Sequence, residues 1–549
     1  MSKINGGQLV VKCLEAQGVE FIFGIPGAKI DTVFDALEDS TIQLILCRHE
    51  QNAAFMAAAY GRLTGKPGVV LVTSGPGVSN LATGLLTATT EGDPIVALGG
   101  NVARDMALKA SHQNTNNVQL MKPVCKTSVE TEVPEIIPEA IANAFRTAVA
   151  PRSGACFISL PQDVLKEMTS APVIKPASRI CYGLAHPETI RAVSQLINQA
   201  KCPVLLLGEE ASRPENTEAI RKLLLKTGLP TVGTFQAAGV VSRELVSCFA
   251  GRVGLFRNQP GDQLLNQSDI IITIGFDSVE YDPEVWNAEC QKTIVHIDYS
   301  PATIREAYQP KYEVLGDIDA NLSALIELLD TSMVLRNQKN VKPYHEAHQK
   351  IILTGKSLSR GKLMHPLHFI HELREAIDDD TLITCDVGTI YMWMSRYFLS
   401  YQPHHLLFSN GQQTLGVALP WAMAAKLVYP NKKIISMSGD GGFLFSSMEL
   451  ENAVRNKLDF VHFVWRDGSY NMVKEQELMK YKRPSGVEFG KVDLADYAKA
   501  FGAIGYELQD PADFSELLQE ALKQKGPVLI DIPIDYSDNP GLFETGVLS

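Results

Sequence analysis

No block of lysine or arginine interrupts this sequence, and its charge has the wrong sign for a polyanionic partner. Sixty-two acidic against 50 basic residues give a net −12 over 549 residues, with a pI near 5.6. The electrostatic footprint of nucleic-acid binding is therefore missing. Long apolar runs are missing too: the longest, such as Ile270-Ile271-Ile272-Thr273-Ile274, are strand-sized and well short of the roughly 20 residues a membrane span needs. The polar start, Met1 to Gln8, leads into an amphipathic pattern (Leu9, Val10, Cys13, Leu14) without the apolar core and cleavage site of a secretion signal. Cysteine is sparse, nine in all, an odd number with no Cys-x-x-Cys pair. Neither a disulfide framework nor a zinc site is expected, and a reducing cytoplasm is the expected location.

What is present is an ordinary globular composition, 45% hydrophobic and 20% charged, with ample apolar material for buried sheets. The length exceeds what one core supports, so three domains are expected. From residue 9 to about 165, β-branched runs at Gly68–Val72, 95–98 and 155–160 alternate with helical patterns, the signature of parallel βαβ units. A first domain over 1–170 follows, its last strand ending near Pro161. Residues 172–187 read as a linker. A second domain, 186–330, carries strands at 203–208, 270–275 and Thr293–Asp298 and a helix at 216–227. The polar stretch 329–362, with Arg336-Asn337-Gln338-Lys339-Asn340, marks a second boundary. The third domain, 363–549, shows strands at 381–386, 433–438, 460–465 and 528–532. The expected fold class is α/β, three doubly wound parallel-sheet domains.

The strongest local signal is the strand 433–438, then Gly439-Asp440-Gly441-Gly442-Phe443, then a helical run over 446–455. It sets Asp440 at the carboxyl end of a strand, where open α/β sheets bind ligands, beside glycines that let the backbone approach a phosphate. The next strand ends at Trp465-Arg466-Asp467-Gly468-Ser469-Tyr470-Asn471, so a second acid, Asp467, lies 27 residues on at the same sheet edge. Two carboxylates and a loop carbonyl, for which Ser469 is the candidate, would share a hard cation such as Mg²⁺ with diphosphate oxygens. Gly-Asp-Gly alone also reads as an ordinary strand-to-helix turn; the second acid carries the metal reading.

With that motif the sequence resembles the thiamine-diphosphate enzymes, whose cofactor motif opens with Gly-Asp-Gly and closes on a second metal ligand. Similarity to the catabolic acetolactate synthases runs from Phe23 to about Asn539. It is carried by Gly24-Ile25-Pro26-Gly27-Ala28-Lys29-Ile30-Asp31, Arg48-His49-Glu50, Thr73-Ser74-Gly75-Pro76-Gly77, Ser409-Asn410-Gly411-Gln412-Gln413-Thr414 and Gly416-Val417-Ala418-Leu419-Pro420-Trp421. The resemblance implies a pyrimidine-binding first domain, a central α/β domain and a diphosphate- and Mg²⁺-binding third domain. It implies that two pyruvates condense to 2-acetolactate with loss of CO₂. Glu50 then activates the cofactor through its pyrimidine ring, a role that calls for a dry pocket such as the apolar run 52–59 provides; without the resemblance Glu50 reads rather as a helix-capping surface acid.

The same resemblance implies cofactor contacts from Thr73, Gly75, Pro76 and Asn80 on the pyrimidine side. Gly388, Thr389, Gln413, Gly441, Gly442, Tyr470 and Met472 contribute from the third domain. Leu415 falls where the family places a bulky wedge that bends the cofactor, although a core leucine is the local reading. His112-Gln113 matches a family pair near the reacting carbon, which makes Gln113 a candidate for holding the bound intermediate. The family continues with Ser-Met-Asp, whereas this chain has Asn114-Thr115-Asn116-Asn117. The biosynthetic synthases carry Arg-Phe-Asp-Asp-Arg, whereas the corresponding stretch here, Ile274-Gly275-Phe276-Asp277-Ser278-Val279-Glu280-Tyr281-Asp282, lacks the arginines, so FAD is not expected. Gln476, where those enzymes have Trp, matches the catabolic branch and points to pyruvate as acceptor. In the family one site is built by two subunits, which implies a homodimer or homotetramer with active sites at the interface. A simple 2-keto-acid decarboxylase, a flavin-dependent pyruvate oxidase and a non-catalytic cofactor-binding paralogue remain as alternatives.

Overall fold

The computed structural model describes residues 3–178, 180–358 and 361–543. Three six-stranded parallel sheets follow one another along the chain. In spatial order the first holds Gln43–Leu46, Phe21–Ile25, Gly68–Val72, Ile95–Asn101, Ala155–Pro161 and Thr127–Glu130. The second holds Phe249–Arg252, Thr231–Gly233, Pro203–Leu207, Ile270–Ile274, Thr293–Asp298 and Tyr312–Leu315. The third holds Leu406–Leu407, Leu382–Cys385, Ile434–Gly439, Phe460–Arg466, Pro527–Pro533 and Ile504–Glu507. A short antiparallel pair, Ile4–Asn5 with Met168–Thr169, ties the two ends of the first unit together.

The strand sequences explain the layering. Successive strand residues face opposite sides of a sheet, and here both sides are apolar. Val69 and Leu71 enter one core with Ile22 and Leu98, whereas Val70 and Val72 enter another with Phe23 and Ala97. The second sheet divides the same way, Leu205 and Ile272 against Val204 and Ile271, as does the third, Met437 and Ile530 against Ile434 and Leu529. Helices cover both faces of each sheet, which is the doubly wound arrangement, and strands buried on both faces are necessarily continuous apolar runs.

The first and third sheets share one core. Helix Glu50–Thr64 packs Ala53, Ala54, Ala57 and Ala58 into the same cluster as Trp421, Ala422 and Ala425 of helix Ala418–Val428. Small side chains bring these helices close. Arg62 stacks 4.7 Å over the Trp421 ring while donating to Asp93 at 2.7 and 2.8 Å and to the Phe408 carbonyl at 2.9 Å.

Two elements differ from the sequence expectation. The polar stretch 329–362 is mostly one 21-residue helix, Val334–Thr354, with Pro343 inside it; only Asn337, Val341 and His348 are buried along its length. A stripe that narrow leaves little apolar periodicity to detect. The run at 446–455 becomes helical only at Glu449: the glycine motif itself forms a separate short helix, Asp440–Leu444, and residues 445–448 turn between the two. Among the described residues no helix is long and apolar enough to cross a membrane.

Candidate active site

Adjacent parallel strands bring the two acids together. Ile434–Gly439 pairs with Phe460–Arg466 in the register Gly439 to Trp465, so the turns carrying Asp440 and Asp467 leave the same sheet edge. Asp440, 7% exposed, accepts from the Gly468 amide at 2.8 Å and the Gly441 amide at 3.0 Å. Asp467 accepts from Ser469 Oγ at 2.6 Å and Asn471 Nδ2 at 2.9 Å. Asn471 is held in turn by Thr389 Oγ1 at 2.8 Å and Asn539 Nδ2 at 2.6 Å. Burial pushes the Asp440 carboxyl up to about 6; the Gly468 amide opposes that shift and the charge of Asp467 adds to it. Among the described residues neither carboxylate faces a cationic side chain at hydrogen-bond distance, and a buried carboxylate beside a second one is a donor set that suits a hard cation. Among the described residues no group of three or more His, Cys, Asp or Glu forms a metal cluster, so any cation here would need backbone or ligand oxygens as well.

Room for a phosphate-bearing group lies alongside. Gly388, at φ 131°, precedes helix Thr389–Tyr397, and a Cβ there would meet no atom within 4 Å; the same holds at Gly468. Gly441 lies against the Tyr470 ring, which packs edge-on to Phe489 at 4.8 Å, and Gly442 lies against Asp386. Gln413, at φ 49°, and the half-buried Leu415 sit on the neighbouring loop. Met472 is half-buried and packs on the third domain's core.

In the first domain Glu50 opens helix Glu50–Thr64 and is 9% exposed, with Asn80 Nδ2 donating to Oε2 at 2.9 Å. Thr73 follows the strand Gly68–Val72 and its Oγ1 is buried without a hydrogen-bond partner. Gly75, at φ 60°, caps helix Pro76–Thr90, and a Cβ on it would come within 3.0 Å of Gln113. Gln113 itself sits at φ 60° and accepts from Ser74 Oγ at 3.3 Å, so the 104–116 loop rests on the 73–75 turn.

The structure thus gathers the predicted residues into two groups. Glu50, Thr73, Gly75, Pro76, Asn80 and Gln113 form one, and Asp440, Asp467, Ser469, Gly388, Thr389, Gln413, Leu415, Gly441, Gly442, Tyr470 and Met472 the other. Among the described residues no hydrogen bond or ion pair joins Glu50 to Asp440 or Asp467. Gln476 is exposed on helix Asn471–Tyr481, which buries none of its residues. A cavity of about 650 Å³ between the domains, beside Arg62, Arg213 and Tyr299, contains none of these side chains.

Sequence reasoning missed three polar residues. Asn471 orients Asp467, and Asp386 and Glu91 anchor the loop bearing Leu415. Asp386 had a signal, an acid at the end of a strand just before Gly388; Glu91 had none, since its partners on the 409–411 segment lie more than 300 positions away. The Asn114–Asn117 run proves structural. Asn114 Nδ2 donates to the carbonyls of Met106, Ala107 and Lys109 at 2.7–3.1 Å, Asn116 caps helix Asn117–Met121, and Asn117 Nδ2 reaches the Gly100 carbonyl at 3.0 Å.

Three sequence-family models match this layout in order. They are the thiamine pyrophosphate enzyme N-terminal TPP-binding domain over residues 4–120, the central domain over 190–325 and the C-terminal TPP-binding domain over 386–532. The class is therefore that of thiamine pyrophosphate enzymes. The chain is 52% identical over 98% of its length to an acetolactate synthase of Bacillus subtilis (strain 168), covering 95% of that protein. It is 46% identical over 98% of its length to a catabolic acetolactate synthase of Raoultella terrigena, covering 96% of it. Identity falls to 30% with the acetolactate synthase isozyme 1 large subunit of Escherichia coli (strain K12), over 98% of this chain and 95% of that one. The chain belongs to the acetolactate synthases within the thiamine pyrophosphate enzyme family.

Proposed function

We propose that this chain is a catabolic, FAD-independent acetolactate synthase that condenses two pyruvates to 2-acetolactate with loss of CO₂, using thiamine diphosphate and Mg²⁺. The observation that carries the reading is the Asp440–Asp467 pair, set beside the open glycine turns at Gly388 and Gly468 in a chain so close to the named synthases.

Asp440, Asp467 and the Ser469 carbonyl hold Mg²⁺, with Asn471 fixing Asp467. Gly388, Thr389, Gly441 and Gly442 take the diphosphate at helix N-termini, where unpaired amides favour an anion. When bound, the cofactor supplies the nucleophilic carbon and the electron sink. Glu50 exchanges a proton with the pyrimidine; the Asn80 hydrogen bond fixes Oε2 and with it the plane of the carboxyl group. Thr73, Gly75, Pro76, Gln413, Tyr470 and Met472 would line the cofactor, and Leu415 would be its aliphatic wedge. Gln113 and Gln476 orient pyruvate, and Gln476, standing where the biosynthetic synthases carry a Trp, favours pyruvate as the acceptor.

FAD independence is supported by charge. The central sheet reverses its strand order between Pro203–Leu207 and Ile270–Ile274, where doubly wound sheets bind dinucleotides. Here that crevice, about 230 Å³, is lined by Glu209, Glu210, Asp277, Glu280 and Asp298 against one Arg152. Burial pushes Glu280 up to about 8 and Asp298 up to about 7. Of the charged side chains there, a dinucleotide diphosphate would meet five acids, Glu280 and Asp298 among them partly protonated, and a single arginine already paired with Asp277.

Two copies share each site, as a homodimer or homotetramer. Leu444 and Phe445, beside the metal pair, are 39% and 46% exposed, and Leu108 is fully exposed at the tip of the Gln113 loop. Apolar side chains bared beside a catalytic pair are surfaces for a partner. The domains take the roles of pyrimidine binding (1–170), central scaffold (186–330) and diphosphate and metal binding (363–549), and the enzyme works in the cytoplasm. Protein stripped with EDTA tests the reading: acetolactate formation returns only when thiamine diphosphate and Mg²⁺ are both restored, without flavin. Turnover with either one missing overturns it.

A further inference from the structure

The segment from Ser409 to Ala418, which bears Gln413 and Leu415, is held at both ends by a buried carboxylate. At one end Glu91, fully buried at the C-cap of helix Pro76–Thr90, accepts from Ser409 Oγ and the Asn410 amide at 3.0 Å and from the Gly411 amide at 2.8 Å. Gln236 of the central domain also donates to Glu91, and the Arg62 guanidinium lies 3.9 Å away. At the other end Asp386, 1% exposed, accepts from the Gly416 amide at 2.9 and 3.0 Å, from Ala418 at 3.4 Å and from Val387 at 2.8 Å. Between them Thr414 Oγ1 meets Thr87 Oγ1 at 2.8 Å, and Gln412 Nε2 donates to Thr90 Oγ1 at 3.0 Å.

A carboxylate removed from water must be fully hydrogen-bonded. Most donors to these two come from one short segment, so the segment cannot shift without leaving a buried acceptor bare. Charge-assisted bonds of this kind are about twice as strong as neutral ones. Glu91 acts from a different domain than the segment it holds and also takes Gln236 from the central one, so all three domains must be docked before the loop is fixed.

We infer that Glu91 and Asp386 are positioning residues for the reaction proposed above: they clamp the 409–418 segment and thereby set Leu415 and Gln413. Only the kinetic arm of the inference rests on that reading; the clamp itself is read from amide exchange. Hydrogen–deuterium exchange of the holoenzyme is compared for wild type, Glu91→Gln, Glu91→Asp, Asp386→Asn and Ser409→Ala. Glu91→Gln speeds exchange of residues 409–411 at least tenfold, and Asp386→Asn does the same for 416–418. At saturating thiamine diphosphate and Mg²⁺, kcat falls at least tenfold in both while the KM for pyruvate stays within threefold, and Glu91→Asp recovers most of the kcat. A purely structural role would lower thermal stability without this split. Faster exchange with unchanged kcat, or unchanged exchange, overturns the inference. Should Glu91→Gln fail to fold, Ser409→Ala, which removes one donor, is expected to speed local exchange about threefold, and no acceleration there overturns it equally. If wild type makes no acetolactate, the functional reading fails while the exchange result still decides the clamp.

Discussion

Replacing Asp440 by Asn should stabilise the metal-free protein and at the same time abolish its response to metal. Burial and the neighbouring Asp467 raise the Asp440 carboxyl from 3.8 to about 6. Because folding raises this pKa, the folded state resists ionisation. Stability is unaffected below about pH 4, where the group is protonated in both states, and is lost progressively until about pH 6. At roughly 1.4 kcal/mol per unit the full effect is about 3 kcal/mol at pH 8. Asn removes that cost but turns an amide donor toward the Gly468 amide, which takes back about 1 kcal/mol. The remaining gain of about 2 kcal/mol corresponds to roughly 4–8 °C for a domain of this size. Differential scanning fluorimetry at one scan rate, on EDTA-treated protein at pH 4.5 and pH 8, reads it. The Asn variant melts higher than wild type at pH 8, with a smaller gap at pH 4.5, and Mg²⁺ with thiamine diphosphate raises the melting point of wild type alone. A variant that melts lower than wild type at pH 8 without metal, or that gains as much from metal and cofactor, refutes the reasoning.

Glu50→Gln keeps the Asn80 contact but cannot exchange the proton, so kcat should fall on the order of a hundredfold or more while cofactor affinity, measured by fluorescence titration, changes little. Asn114→Asp replaces a donor to three carbonyls with an acceptor that repels them. Proteolysis within 104–116 should quicken, and the share of pyruvate diverted to acetaldehyde should rise, as measured by product chromatography. Gly75→Ala forces a Cβ to 3.0 Å from Gln113 at a positive φ; a loss of roughly 1–3 kcal/mol in unfolding free energy, with weaker cofactor binding, should follow.

Much of the fold was legible because strands buried on both faces leave apolar runs such as 203–207 and 270–274 that no other element explains. The closeness of the two acids was legible because adjacent parallel strands convert a fixed spacing into proximity, as with Asp440 and Asp467. Long-range polar contacts were not. Glu91 meets Ser409 only through the docking of two domains, and nothing in the local sequence 87–93 marks it. The helix Val334–Thr354 was hidden by its polar surface and Pro343. Asn114–Asn117 stood out only as a departure from the family's Ser-Met-Asp, whereas Asn114 braces the loop and Asn117 is buried against the first sheet. The wedge at Leu415 and the role of Gln476 were drawn from family resemblance; in the single chain Leu415 is half-buried on its loop and Gln476 is exposed on its helix.

The identity of the product tests the central claim most directly. Purified protein is given ¹³C-labelled pyruvate, thiamine diphosphate and Mg²⁺ with no FAD, and the products are followed by NMR. Acetolactate as the main product, with one CO₂ released per two pyruvates consumed, is the expected result. Acetaldehyde as the main product, or no product until FAD is added, contradicts it.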